Sequence, residues 1–426
     1  MLISRSTKTD RNQLLYILEA AVEYFISLLI ADAFLATLLT RSGVSDATTG
    51  IITQLASFAF VAQLFSVFVR RTNGMKRFVT VLMLINQLLF VSLYFVPLVS
   101  IPQSVKAICF VVLFLSGHAI TNVAVPYRTT WMMSFVPNHT RGQFTANKEI
   151  VSLLSGMIFS FAMGTLVDHM RAIGQESMGF ILCGVTILIL AISHFVILMM
   201  ADDIAPMADS TSRHSLPDTI KRTLTNKTLL KLLLIDVGWH CVTGISVSFY
   251  GTYKINELGF SLQFVSILII MYSISRVAVS RFFGRYADKH SWTRLLILCF
   301  SIAAIAFFVN IFTSPVNGKY LFPIYYCIYA IAMGGINSGV MNILFDFVPT
   351  EERPAALGIK AAAGGAAGLV ASLIGSSILA QIQANGNQLF GMPVYAQQVL
   401  TAIAFVLLLL LVVYVKTVIG KLKALD

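Results

Sequence analysis

Two glutamates one helical turn apart, Glu19 and Glu23, stand in the apolar run LLYILEAAVEYFISLLI. At a spacing of four they share one face of a helix. Two carboxylates that close disfavour ionising together, and removal from water acts in the same direction. One of them can then hold a proton near neutral pH, which is what a proton-coupling group must do. The other use of such a pair is structural, as an ion pair with Lys148, Lys360 or Arg276. Asp236 and His240 repeat the spacing in LLLIDVGWHCVTG. A histidine beside a carboxylate can relay protons around neutral pH, or the two can form a hydrogen-bonded structural pair. Asp32 lies nine residues past Glu23, about half a turn off its face, and reads as a structural or outer-gate residue.

Arg128 lies in AITNVAVPYRTTW. A guanidinium binds a carboxylate or phosphate through two parallel hydrogen bonds. With His118 and Asn122 it offers a polar patch for an anionic or hydroxylated solute. The alternative is a side chain that reaches back to the membrane surface. YYCIYAIAMGGINSGVMN offers Tyr325, Tyr329 and Asn337, together with Tyr326 and Asn342. Tyrosines four apart can stack a ligand, although packing or an interfacial belt is their commoner fate. No Ser/His/Asp triad, metal-ligand cluster or nucleotide fingerprint is present. GGAAG in IKAAAGGAAGLVASLIGSS is followed by no Gly-Lys-Ser/Thr and is no phosphate loop. These glycines suit close helix approach instead. The reading is therefore not an enzyme, with no cofactor and no metal. A polytopic lipid enzyme or a non-transporting sensor is the remaining contrast.

The elements that must hold these residues follow from composition. The chain is 57% hydrophobic and only 12% charged, with mean hydropathy +0.82. A soluble domain is about a quarter charged, so the solvent implied is lipid, where a helix satisfies its own backbone hydrogen bonds. Roughly 20 apolar residues span a bilayer. Twelve candidate spans lie near 14–40, 46–69, 78–98, 106–131, 144–167, 177–200, 228–253, 262–283, 293–313, 320–345, 354–382 and 394–416. The one long polar stretch, 201–226, reads as a cytoplasmic linker between an N-terminal six-helix bundle (1–200) and a C-terminal one (227–418), with a short tail at 419–426. The polar start MLISRSTKTDRNQ is not that of a cleaved signal peptide. The five cysteines fall in apolar runs with no zinc or disulfide spacing.

With a cytoplasmic N-terminus, the outer side holds only Arg41, Lys106, Arg171, Lys254 and Lys319, and Arg128 and Arg276 fall within spans. The other 23 of the 30 basic residues collect on the inner side. This bias puts both termini in the cytoplasm and accounts for the net charge of +11 without nucleic acid.

The halves echo each other. FVPNHTRGQFTANK (135–148) and FVPTEERPAALGIK (347–360) share Phe, Val, Pro, Arg and Lys in register, one copy in each half. Each copy links the fourth span of its half to the fifth, with Pro137 and Pro349 ending one helix and Asn138 and Thr350 as candidate caps for the next. Arg141 and Lys148, like Arg353 and Lys360, sit two turns apart on one face. Glu19 and Glu23, in the first span of the first half, match Asp236 and His240 in the first span of the second.

Two six-span halves, a long middle linker, parallel repeats and the loop GRYADKHSWTR (284–294) resemble the major facilitator superfamily. Gly284, Ala287, Asp288, Lys289 and Arg294 fit that family's loop signature. Ser291 and Trp292 depart from it, and in VFVRRTNGMKR (67–77) Arg71 occupies the Asp position. The resemblance implies an all-α membrane fold of two pseudo-symmetric six-helix bundles. It implies secondary transport by alternating access, with spans 1, 4, 7 and 10 around a midplane site. It also implies that Asp288 latches the start of the eleventh span near Arg353, where an anion meets a helix N-terminus. Glu149 is the candidate to compensate for Arg71. The expected function is a proton-coupled transporter in the cytoplasmic membrane, moving a small polar or zwitterionic solute as a monomer, with lipid and protons as its other partners. The alternative is a proton-driven exporter of amphipathic compounds. The fifth span, KEIVSLLSGMIFSFAMGTLVD, lacks the Pro of many such exporters.

Overall fold

The computed structural model describes residues 8–68, 75–136, 141–203, 225–348, 353–389 and 391–422. It is 88% helix. Among the described residues eleven helices are long and apolar enough to cross a membrane, or twelve if a bent pair is one span. The helices are α1 (Lys8–Leu29), α2 (Asp32–Arg41), α3 (Asp46–Phe58), α4 (Met75–Phe95), α5 (Gln103–Met133), α6 (Arg141–Ala172), α7 (Glu176–Met200), α8 (Lys227–Ile245), α9 (Leu262–His290), α10 (Trp292–Ile311), α11 (Gly318–Asn342), α12 (Arg353–Ala384) and α13 (Ala396–Thr417). The first span is the bent pair. α1 and α2 meet at 40°, where Asp32 takes a left-handed φ of 49°, a conformation Asp tolerates better than most residues. Side chains such as Ile158 (74% exposed) and Leu410 (61%) stand out of the helices toward lipid.

The chain divides into two compact units, Met1–Gly43 with Phe65–Thr211, and Val44–Leu64 with Ser212–Asp426. α3 thus groups with the second unit. Most of the linker expected at 201–226, and Pro137, Asn138, Pro349, Thr350 and Arg71, lie outside the described residues.

In the first unit α4 packs on α5 and α7, and α1 packs on α6 and α7. One end is closed by Leu15, Tyr16, Met83, Tyr127, Trp131 and Phe144. Lys76 and Arg11 donate to the carbonyls of Ala201 and Met200, both at 2.5 Å. They satisfy backbone acceptors that the end of α7 leaves open.

In the second unit α12 lies against α8 and α3. A Cβ on Gly244 would strike the backbone of Gly368, and one on Gly365 would strike the carbonyl of Ser57. The glycine-rich run of α12 therefore lets two helix backbones approach it. α8 ends at Ile245, and its span continues through a 3₁₀ turn (Val247–Phe249) and a π-helical turn (Tyr253–Glu257). The twin basic segments open α6 and α12 at Arg141 and Arg353, and both helices run 32 residues.

Candidate functional site

The first unit holds a buried ion cluster. α1 presents Glu19 and Glu23 on one face, and α5 delivers Arg128 between them. One guanidinium nitrogen, Nη1, stands 2.9 Å from Glu19 Oε1 and 2.6 Å from Glu23 Oε1. The side chains are 1% (Glu19), 29% (Glu23) and 11% (Arg128) exposed, so the cluster is most accessible at Glu23. The partner of the acidic pair is thus Arg128, rather than the Lys148, Lys360 or Arg276 weighed from sequence. Arg128 turns into the protein instead of reaching back to the membrane surface. An arginine taken from water at this depth needs a carboxylate partner, and two are within reach.

Behind Glu19 stands His194 of α7, fully buried. Its Nε2 lies 3.2 Å from Glu19 Oε1, and its Nδ1 lies 2.7 Å from Gln87 Nε2 of α4. Neither His194 nor Gln87 was singled out in the sequence. The available signal was a histidine in the apolar run LILAISHFVILMM, since an ionisable group within a span is costly unless used. Lys148 sits over the Tyr16 ring at 4.5 Å and 3.4 Å from its hydroxyl.

His118 and Asn122 are not part of this cluster. They lie ten and six residues before Arg128, so His118 is about 15 Å away along α5. His118 is packed against Phe90 and Phe114, with Nε2 sealed and without a hydrogen-bond partner. Asn122 donates to the His118 carbonyl at 2.9 Å.

The second unit repeats the arrangement with different parts. Asp236 is 5% exposed. Lys360 of α12 lies 3.4 Å from its Oδ1 and donates to the Val340 carbonyl at 2.6 Å. His240 Nδ1 is 2.9 Å from the Asp236 carbonyl and 3.4 Å from Oδ2. Since a carbonyl only accepts, Nδ1 carries a hydrogen. Gly364 makes the room, because a Cβ there would strike Asp236 and His240. The formal charges differ between the two clusters. Asp236 and Lys360 sum to zero, whereas Glu19, Glu23 and Arg128 sum to −1, with Lys148 beside Tyr16 as the next cation out.

Tyr325 (fully buried) and Tyr329 (7% exposed) stack on each other at 5.6 Å and pack with Tyr250, Phe307 and Trp239. They form part of the second unit's core, while Asn337 on the same helix is exposed. Asp288 is exposed near the end of α9 and makes no ion pair among the described residues. Its expected partner Arg353 and the equivalent Arg141 open α12 and α6, and their side chains lie outside the described residues. All five cysteines are free thiols, and among the described residues no group of His, Cys, Asp and Glu could hold a metal ion.

Membrane-length helices in two compact units, each with a buried carboxylate–base cluster within its spans, define a polytopic helical membrane protein. The family model of the Major Facilitator Superfamily matches residues 14–334 and 240–424. The chain belongs to that superfamily. A variant of the nucleoside transporter NupG has a similar fold (TM-score 0.75, 11% identity, covering 95% of this chain and 99% of that one). So do a D-xylose-proton symporter (0.69, 13%, 95% and 97%) and a bacterial homolog of the human lysosomal transporter Spinster, inward-facing and occupied (0.65, 12%, 97% and 96%). At these identities the likeness is one of fold. No curated protein matches the chain.

Proposed function

We propose that this chain is a proton-coupled secondary transporter that moves a small polar or zwitterionic solute by alternating access. The observation that carries the reading is the Glu19–Glu23–Arg128 cluster. It holds one carboxylate more than its guanidinium neutralises, and it meets solvent at Glu23. A carboxylate that Arg128 does not itself neutralise, with Lys148 as the next cation out, favours taking up one proton or releasing the cluster to water. Loading with a proton therefore changes which conformation is favoured, as ion coupling requires. The paired charges of Asp236 and Lys360, beside His240, suit a positioning or solute-binding role. The symporter among the solved structures is in keeping with protons as the coupling ion. The sorting of Lys and Arg supports a cytoplasmic-membrane protein with both termini inside. Asp288 with Arg353, and Arg141, Lys148 and Lys360, are assigned to the cytoplasmic gate.

The test is a solute screen on proteoliposomes that contain a trapped pH-sensitive dye. A solute of this transporter acidifies or alkalinises the lumen when added outside, and an imposed pH gradient concentrates it. Counterflow of a labelled solute with no proton movement at any pH between 5 and 8 would exclude proton coupling.

A further inference from the structure

His194 is fully buried among apolar neighbours, and both of its ring nitrogens are engaged by polar side chains from other helices. Gln87 Nε2 is a donor, so Nδ1 at 2.7 Å accepts and Nε2 carries the hydrogen toward Glu19. That orientation leaves Gln87 Oε1 sealed from solvent with no hydrogen-bond partner. A half-turn of the amide exchanges its nitrogen and oxygen, two atoms of nearly equal size. Oε1 then accepts from a hydrogen on Nδ1, and the orphaned acceptor is satisfied. Only a ring with a hydrogen on Nδ1 can use this second orientation.

The charged groups around the ring explain why a proton belongs there. Glu19 of α1 touches it. Glu23 and Tyr16 on the same helix, Arg128 of α5 and Lys148 of α6 stand around Glu19. α4 faces it with neutral Gln87 and Asn86, both buried, and Tyr94 of that helix bonds the Leu29 carbonyl. An imidazolium would set a second cation on Glu19 opposite Arg128, with Lys148 beside Tyr16 as the next cation out. It would also compete for an oxygen already in use, since Glu19 Oε1 receives both Arg128 Nη1 at 2.9 Å and His194 Nε2 at 3.2 Å.

We propose that His194 holds the coupling proton of the first unit, with the Gln87 amide turned so that Oε1 faces Nδ1 in both charge states of the ring. The proposal rests on the proton-coupled reading above. With Gln87 Oε1 accepting from Nδ1–H, Nε2 is bare. A proton arriving on Glu19 passes from Oε1 to Nε2, which leaves a carboxylate facing an imidazolium. The imidazolium draws Glu19 away from Arg128, whose guanidinium is left to Glu23 at the solvent-exposed side. Return of the proton to Glu19 restores the neutral ring.

The test is nitrogen NMR of the full-length protein in lipid nanodiscs, with ¹⁵N in the rings of its seven histidines. The His194 signal is assigned by its loss in H194Q, or, should that variant not fold, in a variant keeping His194 as its single histidine. Between pH 8 and pH 5 the ring should pass from one N–H to two. In Q87L, and separately in E19Q, the ratio of doubly to singly protonated ring at pH 6 should fall about tenfold or more, because the imidazolium loses a charge-assisted partner. One N–H throughout, or a titration unmoved in both variants, overturns the proposal. The proteoliposome assay separates the two readings. Gradient-driven uptake with a ring that never gains its second proton defeats the His194 assignment alone. A titrating ring without proton-driven transport defeats the coupling, and with it His194 as its carrier.

Discussion

Glu19 and Asp236 are both nearly sealed from solvent at matching places in the repeat, but they take their cations from different helices. Glu19 is held by Arg128 of α5, and Asp236 by Lys360 of α12. The two acids lie at matching places in the two halves but are paired differently. Glu19 and Glu23 share one guanidinium, whereas Asp236 has an ammonium to itself.

Removing Arg128 should therefore cost more than an ordinary surface change. R128M leaves two carboxylates facing each other without the guanidinium that pairs both, and breaking a buried pair in this way costs about 3–5 kcal/mol. The triple variant R128M/E19Q/E23Q removes the charges together and should recover most of that loss. Thermal unfolding of the purified variants checks both. Equal stability of R128M and the native chain would mean that the cluster is well hydrated.

The packing of α8 on α12 yields a second expectation. G244A places a methyl against the backbone of Gly368 and should destabilise by about 1–3 kcal/mol. G284A, at a helical glycine where an added Cβ would have no atom within 4 Å, should leave stability unchanged or raise it by up to about 1 kcal/mol. Both are read from thermal unfolding. The opposite ranking would contradict the close approach.

A third expectation concerns pH. Asp346 follows α11, outside the membrane span, and burial raises its carboxyl above the ordinary range. The folded chain then holds this proton more tightly than the unfolded chain. The contribution is fully present at low pH and is lost as pH rises through the raised folded value. D346N should gain stability over the native chain at pH 7 and match it at pH 4. A gain of equal size at both pH values would assign the effect to packing.

Most of the architecture was legible because lipid imposes long apolar runs, and the repeat placed the basic segments at the heads of α6 and α12. The break at Asp32 was not, since no Gly or Pro marks it. Glu19, Glu23, Asp236 and His240 were legible as costly charges within spans. Their partners were less so, because Arg128 reaches Glu19 from three spans further along the chain and sequence spacing carries no tertiary distance. His194 was missed for a related reason. It lies outside the four spans expected around the central site, and its significance comes from Gln87 and Glu19 on two other helices. Tyr325 and Tyr329 share a spacing that serves a ligand and a core equally well, and burial places them in the core.

The most direct measurement is the transport of E23Q in proteoliposomes with the solute found by the screen. A neutral amide at this position gives the cluster the charge of its proton-loaded form permanently. Accumulation driven by an imposed pH gradient should fall at least about tenfold, while exchange of labelled for unlabelled solute proceeds near the native rate. Native accumulation by E23Q would contradict the central claim that the excess charge of the Glu19–Glu23–Arg128 cluster couples protons to transport.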